Sequence, residues 1–565
     1  MSRVEELRRA FPLFAEGGEN AQHADAAQSE GVKSCIYLDN AATTQVPAPV
    51  IDAVSAHLAT HNANVHRSSN PLAARATRAY ENARADVAAF IGCEDSTQVV
   101  FTSSATEALN LVAEGLAHTL GEGDAVLVTA LEHNSNLLPW MRVCHQTGAE
   151  LRVVPPQADG AVDLVAYRRL LADGRVRVAA FTCASNVSGV LLPYREMAAA
   201  AKDEGALVVL DATQIMRGGF QVKEAGCDFV CFSGHKMLAT MGIGVLAGAP
   251  GALGRLEVVK LGGGMAEDVG ADGVEFSPLP HRLEAGTPNV PGAVGLARAA
   301  SFLDSVGLDW IRSREQCLVR LLEVGLCSIP GVQVVAAGTP KAGSVSFTVD
   351  GADCFDVASL LGKQGIAVRS GSHCAHRYLK VLGLSAAVRL SPAFYTTEAE
   401  IERALAGVEK ALSVLRGGTT VMDASSIPGR EEQVLAGLDA LEDWELQFAY
   451  VLSFVGKAHE LPEELRDDTH RVRGCVSRAW VELAVDEGGT FAMRSAAEPL
   501  IVRGLLGLIG HLVDGQPARD VACWKPRLLE DDNVGGLLTA ERNTGVHAVL
   551  VAVHDCAKQA CVICE

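Results

Sequence analysis

Apolar runs of strand length alternate with stretches of helical composition from Tyr37 to about Pro291. The stretch 193–205 has the composition and length of a helix. Strands that are apolar throughout and alternate with helices are typical of a mainly parallel sheet covered on both faces. We therefore predict an α/β fold for this part of the chain. The clearest apolar runs are 124–130, 176–182, 206–212 and 228–233.

The pattern changes after Pro291, where a long helical stretch, 293–329, precedes short strands and a closing helix, 398–415. These features predict a smaller α+β lobe. A Gly/Ser/Thr/Pro-rich stretch without hydrophobic period then indicates a linker, and further helices and strands indicate a separate α+β domain. The predicted divisions are an amino-terminal helix and polar insert (1–34), a large domain (35–290), the small lobe (291–416), the linker (417–433), the last domain (434–556) and a cysteine-containing tail (557–565).

Composition narrows the possible partners and the compartment. The chain has 565 residues and a formal charge of −20, so no basic excess is present to neutralise nucleic acid or an anionic membrane. The most apolar segment, 499–513, is interrupted by Arg503 and His511, which argues against a spanning helix. The amino terminus carries Glu5 and Glu6 and is a poor secretory signal. We therefore expect a cytoplasmic protein that binds neither nucleic acid nor membranes.

Fifteen cysteines in a large chain of this kind are expected to be reduced thiols rather than a disulfide framework. Most of them are expected to be small buried hydrophobes, as are Cys183, Cys227 and Cys231 within apolar runs. The cysteines of the carboxyl terminus lie near His554, but their single C-x-x-C spacing is a weak signal for a metal or a redox pair. We predict no metal site. These terminal cysteines are Cys556, Cys561 and Cys564.

Candidate chemistry begins with Lys236, which closes the sequence Phe-Ser-Gly-His-Lys directly after an apolar strand. A lysine at such an edge can form a Schiff base with an aldehyde cofactor, and the neighbouring Ser233 and His235 can donate to a phosphate. The preceding strand ends in Asp211, a carboxylate that would face the crevice where ligands of parallel sheets bind. A solvated lysine and a turn aspartate are common alone, but this spaced pair is far less expected by chance.

Two further features point to the same cofactor chemistry. Small hydroxyl residues precede a helix that begins near Ala105 and Thr106, so backbone amides there can bind an anion such as phosphate. His133 follows the next strand, where an imidazole could stack on a flat ring. Each feature alone is weak, because Ser or Thr at a helix start is usually only a cap.

Together these motifs resemble the class V aminotransferase superfamily over about 37–415 and, within it, the Suf-type, group II cysteine desulfurases. That resemblance implies the fold type I of pyridoxal-phosphate enzymes and a homodimer. One departure is present: the family usually shows His-Arg-Gly-x-His, whereas His66 and Arg67 are followed here by Ser68, Ser69 and Asn70. The motifs are DNAATT (39–44), ATEALN (105–110), EHNSN (132–136), SNVSG (185–189), DATQ (211–214), FSGHK (232–236) and RLEAGTPN (282–289).

The resemblance also implies roles for individual residues. Lys236 would bind pyridoxal 5′-phosphate covalently, with His133 stacked on the ring, Asp211 at the pyridine nitrogen and Gln214 near the ring oxygen. The phosphate would be held by Ala105, Thr106, Ser233 and His235, and by Thr287 from the other subunit. Asn186 and Arg389, with Arg369, would bind the substrate carboxylate.

Cys374 selects the reaction, because a desulfurase needs a thiol to take the substrate's sulfur and a transaminase does not. The thiolate is the required nucleophile, and the nearby Arg369 and His373 are expected to favour it. The mechanism then converts L-cysteine to L-alanine and leaves a persulfide on Cys374. A selenocysteine lyase or another carbon–sulfur lyase remains an alternative, as does a non-catalytic sulfur carrier, although the intact Lys236 and Asp211 argue against the carrier.

The last domain, from about 442 to 553, resembles the SufE-type sulfur acceptors. Its most specific part is a Gly-Cys turn at Cys475, flanked by Arg473 and Arg478, which can lower the pKa of a thiol. The resemblance implies that Cys475 receives sulfur from Cys374 and that the sulfur supplies iron–sulfur scaffold proteins. A flexible linker would hold this acceptor at high effective concentration.

Overall fold

The computed structural model describes residues 2–14, 35–66, 70–416, 426–439, 444–456, 459–473, 478–527 and 540–563. Several sequence predictions fall outside these ranges, namely most of the amino-terminal insert, most of the linker, the Ser68–Ser69 substitution, Cys475 and Cys564. Among the described helices, none is long and apolar enough to cross a membrane.

Helices and strands follow the order that the hydrophobic pattern predicts. The helices are α1 Arg3–Arg8, α2 Ala48–His61, α3 Pro71–Phe90, α4 Ala105–Gly115, α5 Asn134–Thr147, α6 Leu164–Leu171, α7 Tyr194–Asp203, α8 Val222–Ala225, α9 Val290–Val306, α10 Leu308–Ser328, α11 Cys354–Lys363, α12 His376–Val381, α13 Glu398–Arg416, α14 Ile427–Asp439, α15 Trp444–Leu452, α16 Leu500–Val513, α17 Ala518–Cys523 and α18 Ala540–Ile563. The strands are β1 Ile36–Tyr37, β2 Val99–Thr102, β3 Ala125–Thr129, β4 Glu150–Val154, β5 Val176–Thr182, β6 Leu207–Asp211, β7 Phe229–Ser233, β8 Gly244–Gly248, β9 Ala266–Gly270, β10 Gly273–Phe276, β11 Val332–Val334, β12 Val345–Val349, β13 Ile366–Ala367, β14 Arg369–Gly371, β15 Ala387–Leu390, β16 His459–Glu460, β17 Ala479–Val485 and β18 Phe491–Ala497.

The central sheet has seven strands in the order β2-β8-β7-β6-β5-β3-β4. The strands from β4 to β7 are parallel, and β8 runs antiparallel to both of its neighbours. Alternate residues of β7 belong to different apolar clusters, Val230 to one and Phe229 to the other. Both faces of the sheet are therefore covered, which confirms the predicted mainly parallel α/β architecture.

Besides two pairs of short strands, β1-β13 and β10-β9, two smaller sheets complete the described architecture. One has four strands in the order β11-β12-β15-β14, and the other has three in the order β16-β18-β17. The helical stretch predicted at 293–329 is two helices, α9 and α10, because Gly307 between them adopts a φ of +94° that ends the first helix. Helix α14 begins at Ile427, within the stretch that the sequence predicted to be a linker.

The described residues form two compact units. The first lies within Met1–Phe347 and Ala367–Glu402, and the second within Thr348–Ile366 and Arg403–Glu565. The first unit contains the central sheet and is built on two large apolar clusters. The second unit has its own core, centred on helix α16, in which Ile501, Leu505 and Leu512 are fully buried.

Candidate functional site

Most of the residues predicted to form the site line one cavity of about 240 Å³ in the first unit. His133, Asn186, Asp211 and Ser233 follow or end the parallel strands β3, β5, β6 and β7, whose carboxyl ends meet at one edge of the sheet. The sheet topology thus gathers residues that are far apart in sequence. The predicted residues at this cavity are Ala105, Thr106, His133, Asn186, Asp211, Gln214, Ser233, His235, Lys236, Arg369, Cys374 and Arg389.

Two predicted site residues are not found at this cavity. Thr287 is exposed and lines a second cavity of about 210 Å³ beside His66. Cys475 lies outside the described residues. A larger cavity of about 980 Å³, lined by Tyr194 and Arg312 among others, contains neither Lys236 nor Cys374. The cavity of about 240 Å³ is therefore the candidate active site, because it holds Lys236 and Cys374.

The start of helix α4 forms one end of the cavity. Ser104 caps this helix by accepting a hydrogen bond from the backbone of Glu107, and the backbone N–H of Ala105 donates to Ser233 Oγ over 2.8 Å. A Cβ at Gly244 would lie 2.5 Å from the carbonyl carbon of Ser104, so only glycine permits this close approach of β8. The helix start is thereby fixed against β7, with its positive end at the cavity.

Two residues that line the same cavity carry buried atoms without hydrogen-bond partners. Within the described part of the chain, Oγ1 of Thr213 and Nδ1 of His235 are buried and unpaired. The hydroxyls of Thr106 and Ser135 lie 2.7 Å apart, and Ser135 Oγ also lies 3.0 Å from Nδ1 of His133. Unpaired polar atoms in a cavity that also contains a helix start are what a phosphate group would satisfy, so the donor set fits the phosphate of pyridoxal phosphate.

Lys236 ends a short 3₁₀ turn, Gly234–Lys236, directly after β7. Burial of its amine lowers the pKa of Lys236 to about 8, although the nearby Asp211 raises it in part. Asp211 is 6% exposed, and its Oδ1 accepts the backbone N–H of Thr213 over 3.0 Å. A lysine that is partly neutral near pH 8 is suited to react with an aldehyde.

His133 is held by its own helix start. Its Nδ1 accepts the backbone N–H of Ser135 over 3.1 Å, so any proton on the neutral ring is on Nε2. Burial and the nearby Lys236 lower the pKa of His133 to about 4, and the ring is neutral at physiological pH. The preceding Glu132 is fully buried, and burial raises its pKa to about 8. A buried carboxyl group at Glu132 was not predicted from the sequence, although this residue directly precedes His133.

Arg389 also lines the cavity and is 2% exposed. Its NH1 donates to the carbonyl of Asn186 over 2.9 Å, and its NH2 lies 2.7 Å from Asp39 Oδ1. Nε of Arg389 and Oδ1 of Asn186 are buried and unpaired among the described residues. Arg369 is half exposed, with its NH1 3.8 Å from Asp39 Oδ2. Asp39 thus orients the predicted carboxylate-binding arginine, a role the sequence did not reveal.

Cys374 is exposed and sits in an unusual stretch of backbone. His373 and Cys374 have φ values of +52° and +55°, a left-handed conformation that non-glycine residues adopt only at a cost. Their carbonyls are held by neighbours: that of His373 by Asn186 Nδ2 and that of Cys374 by the N–H of Asn134, both over 2.7 Å. These bonds fix the thiol's loop beside Asn186.

His373 does not have the role that the sequence suggested. Its side chain is buried, and Nε2 donates to the carbonyl of Ala387 over 2.9 Å. Burial and the nearby Arg389 lower the pKa of His373 to about 3, so the ring is neutral at physiological pH. A neutral imidazole supplies no positive charge to stabilise a thiolate. The expectation that His373 favours the Cys374 thiolate electrostatically was therefore wrong.

Other titratable groups lie outside this site. His66, Glu81 and His281 bring potential ligand atoms within 4.8 Å of one another. Glu81, however, already accepts a hydrogen bond from the buried Arg84 over 3.0 Å, and we assign no metal there. Burial raises the pKa of the Cys556 thiol, so this cysteine is a poor nucleophile. The three cysteines predicted to be buried are buried: Cys183, Cys227 and Cys231.

Two family models match the chain. The model described as aminotransferase class-V matches residues 36–404. The SufE model, described as an Fe-S metabolism associated domain, matches residues 432–557. Together these models cover both parts of the chain that the sequence motifs distinguished.

Relatives and solved structures point in the same direction. The chain is 41% identical to a probable cysteine desulfurase from Vibrio cholerae, over 67% of this chain and 94% of the relative. It resembles the apo structure of a cysteine desulfurase from Thermococcus onnurineus, with a TM-score of 0.67, 36% identity and coverage of 73% and 98% of the two chains. The cysteine desulfurase CsdA from Escherichia coli gives a TM-score of 0.65, 32% identity and coverage of 73% and 99%.

Proposed function

This chain belongs to the class-V aminotransferase family and carries a SufE domain, and on that basis we propose that it converts L-cysteine to L-alanine and retains the sulfur as a persulfide. The observation that carries this proposal is the presence of an exposed thiol, Cys374, in the cavity that holds Lys236 and Arg389. Family membership supplies the cofactor, pyridoxal phosphate, and the thiol distinguishes desulfuration from amino-group transfer.

The residues present fit that cofactor. Lys236 would bind its aldehyde, Asp211 would hold the pyridine nitrogen, and the start of α4 with Ser233 and His235 would hold the phosphate. The unpaired Nδ1 of His235 supports this assignment, because a buried donor without a partner is costly unless a ligand satisfies it. When bound, the cofactor withdraws electrons from the substrate and stabilises negative charge at its Cα.

Arg389 and Asn186, which also line the cavity, would bind the substrate's carboxylate. Arg389 presents a planar fork whose Nε is unpaired, and Asp39 on one side holds that fork in position. Asn186 contributes twice, because its backbone carbonyl holds Arg389 and its amide holds the loop of Cys374. The same residue therefore connects carboxylate recognition to the position of the nucleophile.

The chain's own groups then carry out proton and sulfur transfer. The amine of Lys236, with its lowered pKa, takes the proton from the substrate's Cα and later returns a proton to the product. The thiolate of Cys374 attacks the substrate's sulfur, so that an S–S bond forms as the Cβ–S bond breaks. The electron pair of the broken bond leaves with Cβ, which gains a proton. The products are alanine and a persulfide on Cys374.

The second half of the reaction would move this sulfur to Cys475 of the SufE domain. The Cys475 thiolate would attack the outer sulfur of the persulfide, which forms a new S–S bond and releases the Cys374 thiolate. Arg473 and Arg478 flank this position in sequence and would favour the thiolate. The presence of a SufE domain in the same chain supports this step.

We also propose that the chain forms a homodimer and passes its sulfur to other proteins. A homodimer would allow the exposed Thr287 to reach the phosphate of the partner's cofactor, and a sedimentation mass equal to one 59.3 kDa chain would contradict it. Iron–sulfur scaffold proteins in the cytoplasm are the proposed recipients of the sulfur that Cys475 receives. Transfer of labelled sulfur from cysteine to such a scaffold tests that step, and retention of the label on this chain would contradict it.

The activity test uses the purified holoenzyme with L-cysteine and a reductant, assayed for alanine and sulfide. We expect both products in equal amounts, and we expect Cys374→Ala to abolish them while the cofactor's absorbance remains. The exposed Cys317→Ala serves as a matched control and should keep full activity. Unchanged activity in Cys374→Ala would overturn the proposal.

A further inference from the structure

A buried carboxylate caps the central helix of the second unit. Asp356, in helix α11, is fully buried, and its Oδ2 accepts the backbone N–H groups of Leu500 and Ile501 over 2.6 and 3.3 Å. These groups are the first two of helix α16. Pro499, which precedes the helix, makes no side-chain cap of its own. The free N–H groups of α16 are thus satisfied by a residue 144 positions earlier in the chain.

The two partners in this contact come from segments that belong to different families of domain. Asp356 lies within residues 36–404, which match the aminotransferase class-V model. Helix α16 lies within residues 432–557, which match the SufE model. Both nevertheless belong to the same compact unit of the structure. The contact therefore joins part of the desulfurase sequence to the SufE domain.

Apolar packing accompanies the cap. Leu360, one turn further along α11, and Ala411 of helix α13 are fully buried in the same apolar cluster as Ile427 and Ile501. This cluster is the core of the second unit, and it includes most of the inward-facing residues of α16. Removing Leu360 and Ala411 from water stabilises the contact, and the charged cap fixes its geometry.

We propose that helix α11 and the end of α13 form a docking surface for the SufE domain and that Asp356 holds α16 on this surface. A buried carboxylate is stable only where donors surround it, and the start of α16 supplies two N–H groups and the positive end of the helix dipole. Helix α16 is the core helix of the SufE domain, so fixing its start fixes the domain. The SufE domain is then attached to the desulfurase sequence by this contact as well as by the covalent chain.

The test measures association directly and requires no sulfur chemistry. A protease site placed within 417–425 of the full-length holoenzyme is cut, and the product is analysed by size-exclusion chromatography over a dilution series. We expect the two fragments to elute together, because the docking surface holds them without a covalent link. If the fragments of the otherwise unchanged protein separate at micromolar concentration, the proposal is overturned.

Variants at Asp356 test its part in this association. Asp356→Ala removes the two hydrogen bonds to the start of α16, and we expect the concentration at which the cut fragments separate to rise by roughly tenfold or more. Asp356→Asn keeps an acceptor oxygen without its charge, so its fragments should separate at a concentration between those of the unchanged protein and Asp356→Ala. If Asp356→Ala does not fold, Asp356→Asn tests the role of Asp356 instead. Asp163→Ala, which removes the cap of helix α6 in the first unit, is the matched control and should not change association. Equal association of all variants would overturn the role of Asp356.

Discussion

Arg389 shows how single residues set the specificity of the candidate site. Its guanidinium is fixed on two sides, by the Asn186 carbonyl and by Asp39, and its unpaired Nε remains for a ligand. A lysine at this position would keep the charge but lose the planar fork. The recognition of a carboxylate therefore rests on geometry as well as on charge.

Arg389→Lys is the first prediction at this scale. We expect the KM for L-cysteine to rise by roughly 10–100-fold, with a smaller effect on kcat, because the fork contacts the carboxylate before and after the chemical step. Rates of alanine formation over a range of cysteine concentrations measure both constants. Arg369→Lys is the comparison, and its effect should be smaller because Arg369 is half exposed. The same KM in Arg389→Lys and in the unchanged enzyme would contradict the assignment.

The pH dependence of cofactor binding is the second prediction. Burial lowers the pKa of Lys236 to about 8, and only the neutral amine, which predominates above that pKa, reacts with an aldehyde. The rate at which the cofactor-free enzyme binds pyridoxal phosphate should therefore rise between about pH 7 and about pH 9 and then level. The absorbance of the bound cofactor after mixing reports this rate.

A matched variant tests the cause of that dependence. Asp211 raises the pKa of Lys236, so Asp211→Asn should lower this pKa and move the rise to lower pH. A rate that is constant over the same range in the unchanged enzyme would contradict the lowered pKa. So would a rate that decreases as the pH rises.

At the residue scale, the sequence predicted groups that carry a recognisable spacing and missed those that act through distant contacts. Asp211 ends strand β6 and Lys236 follows strand β7, and the order of parallel strands brings such ends together. Asp39 was not predicted, because its bond to Arg389 joins residues 350 positions apart. The neutral state of His373 was not predicted either, because burial and not sequence position determines it.

Among the elements, the turn after strand β5 holds Asn186 and depends on a glycine. Gly189 has a φ of +74°, and a Cβ there would lie 2.1 Å from the carbonyl oxygen of Ser344. A hydrogen bond joins the same two segments, since the Ala342 N–H donates to the Gly189 carbonyl over 2.7 Å. A side chain at this position must move the turn, and Asn186 with it.

Gly189→Ala is the prediction at this scale. We expect the free energy of unfolding in urea to fall by about 2–4 kcal/mol, through a strained φ and a backbone clash. Gly174→Ala is the matched control, because Gly174 has a φ of +67° with open space around it, and it should cost only about 1 kcal/mol. Equal losses in the two variants would show that the contact with Ser344 has no effect.

Element by element, long apolar strands were the easiest to predict. Strand β5 spans Val176–Thr182, the range that the apolar run indicated. The division between α9 and α10 was not predicted, because a single glycine in a helical pattern is compatible with a continuous helix until its φ is known. The start of α14 at Ile427 was not predicted, because its first turn carries Pro428 and Gly429, which are typical of loops.

At the scale of the whole molecule, the chain combines two families in one sequence, and the boundary between the families does not coincide with the boundary between the two compact units. Residues 348–366 match the aminotransferase class-V model and yet share a compact unit with the SufE domain. Sequence composition predicts the domain boundary at the Gly/Ser-rich stretch 417–433. Composition indicates local chain flexibility, but it does not reveal tertiary contacts. The buried bond from Asp356 to the start of α16 is such a contact.

In the proposed reaction, sulfur passes from cysteine to Cys374 and then to Cys475. Mass spectrometry of peptides from the holoenzyme, quenched at intervals after mixing with one equivalent of L-cysteine without reductant, follows this sulfur directly. We predict a persulfide first on the Cys374 peptide and later on the Cys475 peptide, and in Cys475→Ser we predict that it stays on Cys374. A persulfide that appears on Cys475 in Cys374→Ala, or that never forms on Cys374, would contradict the account.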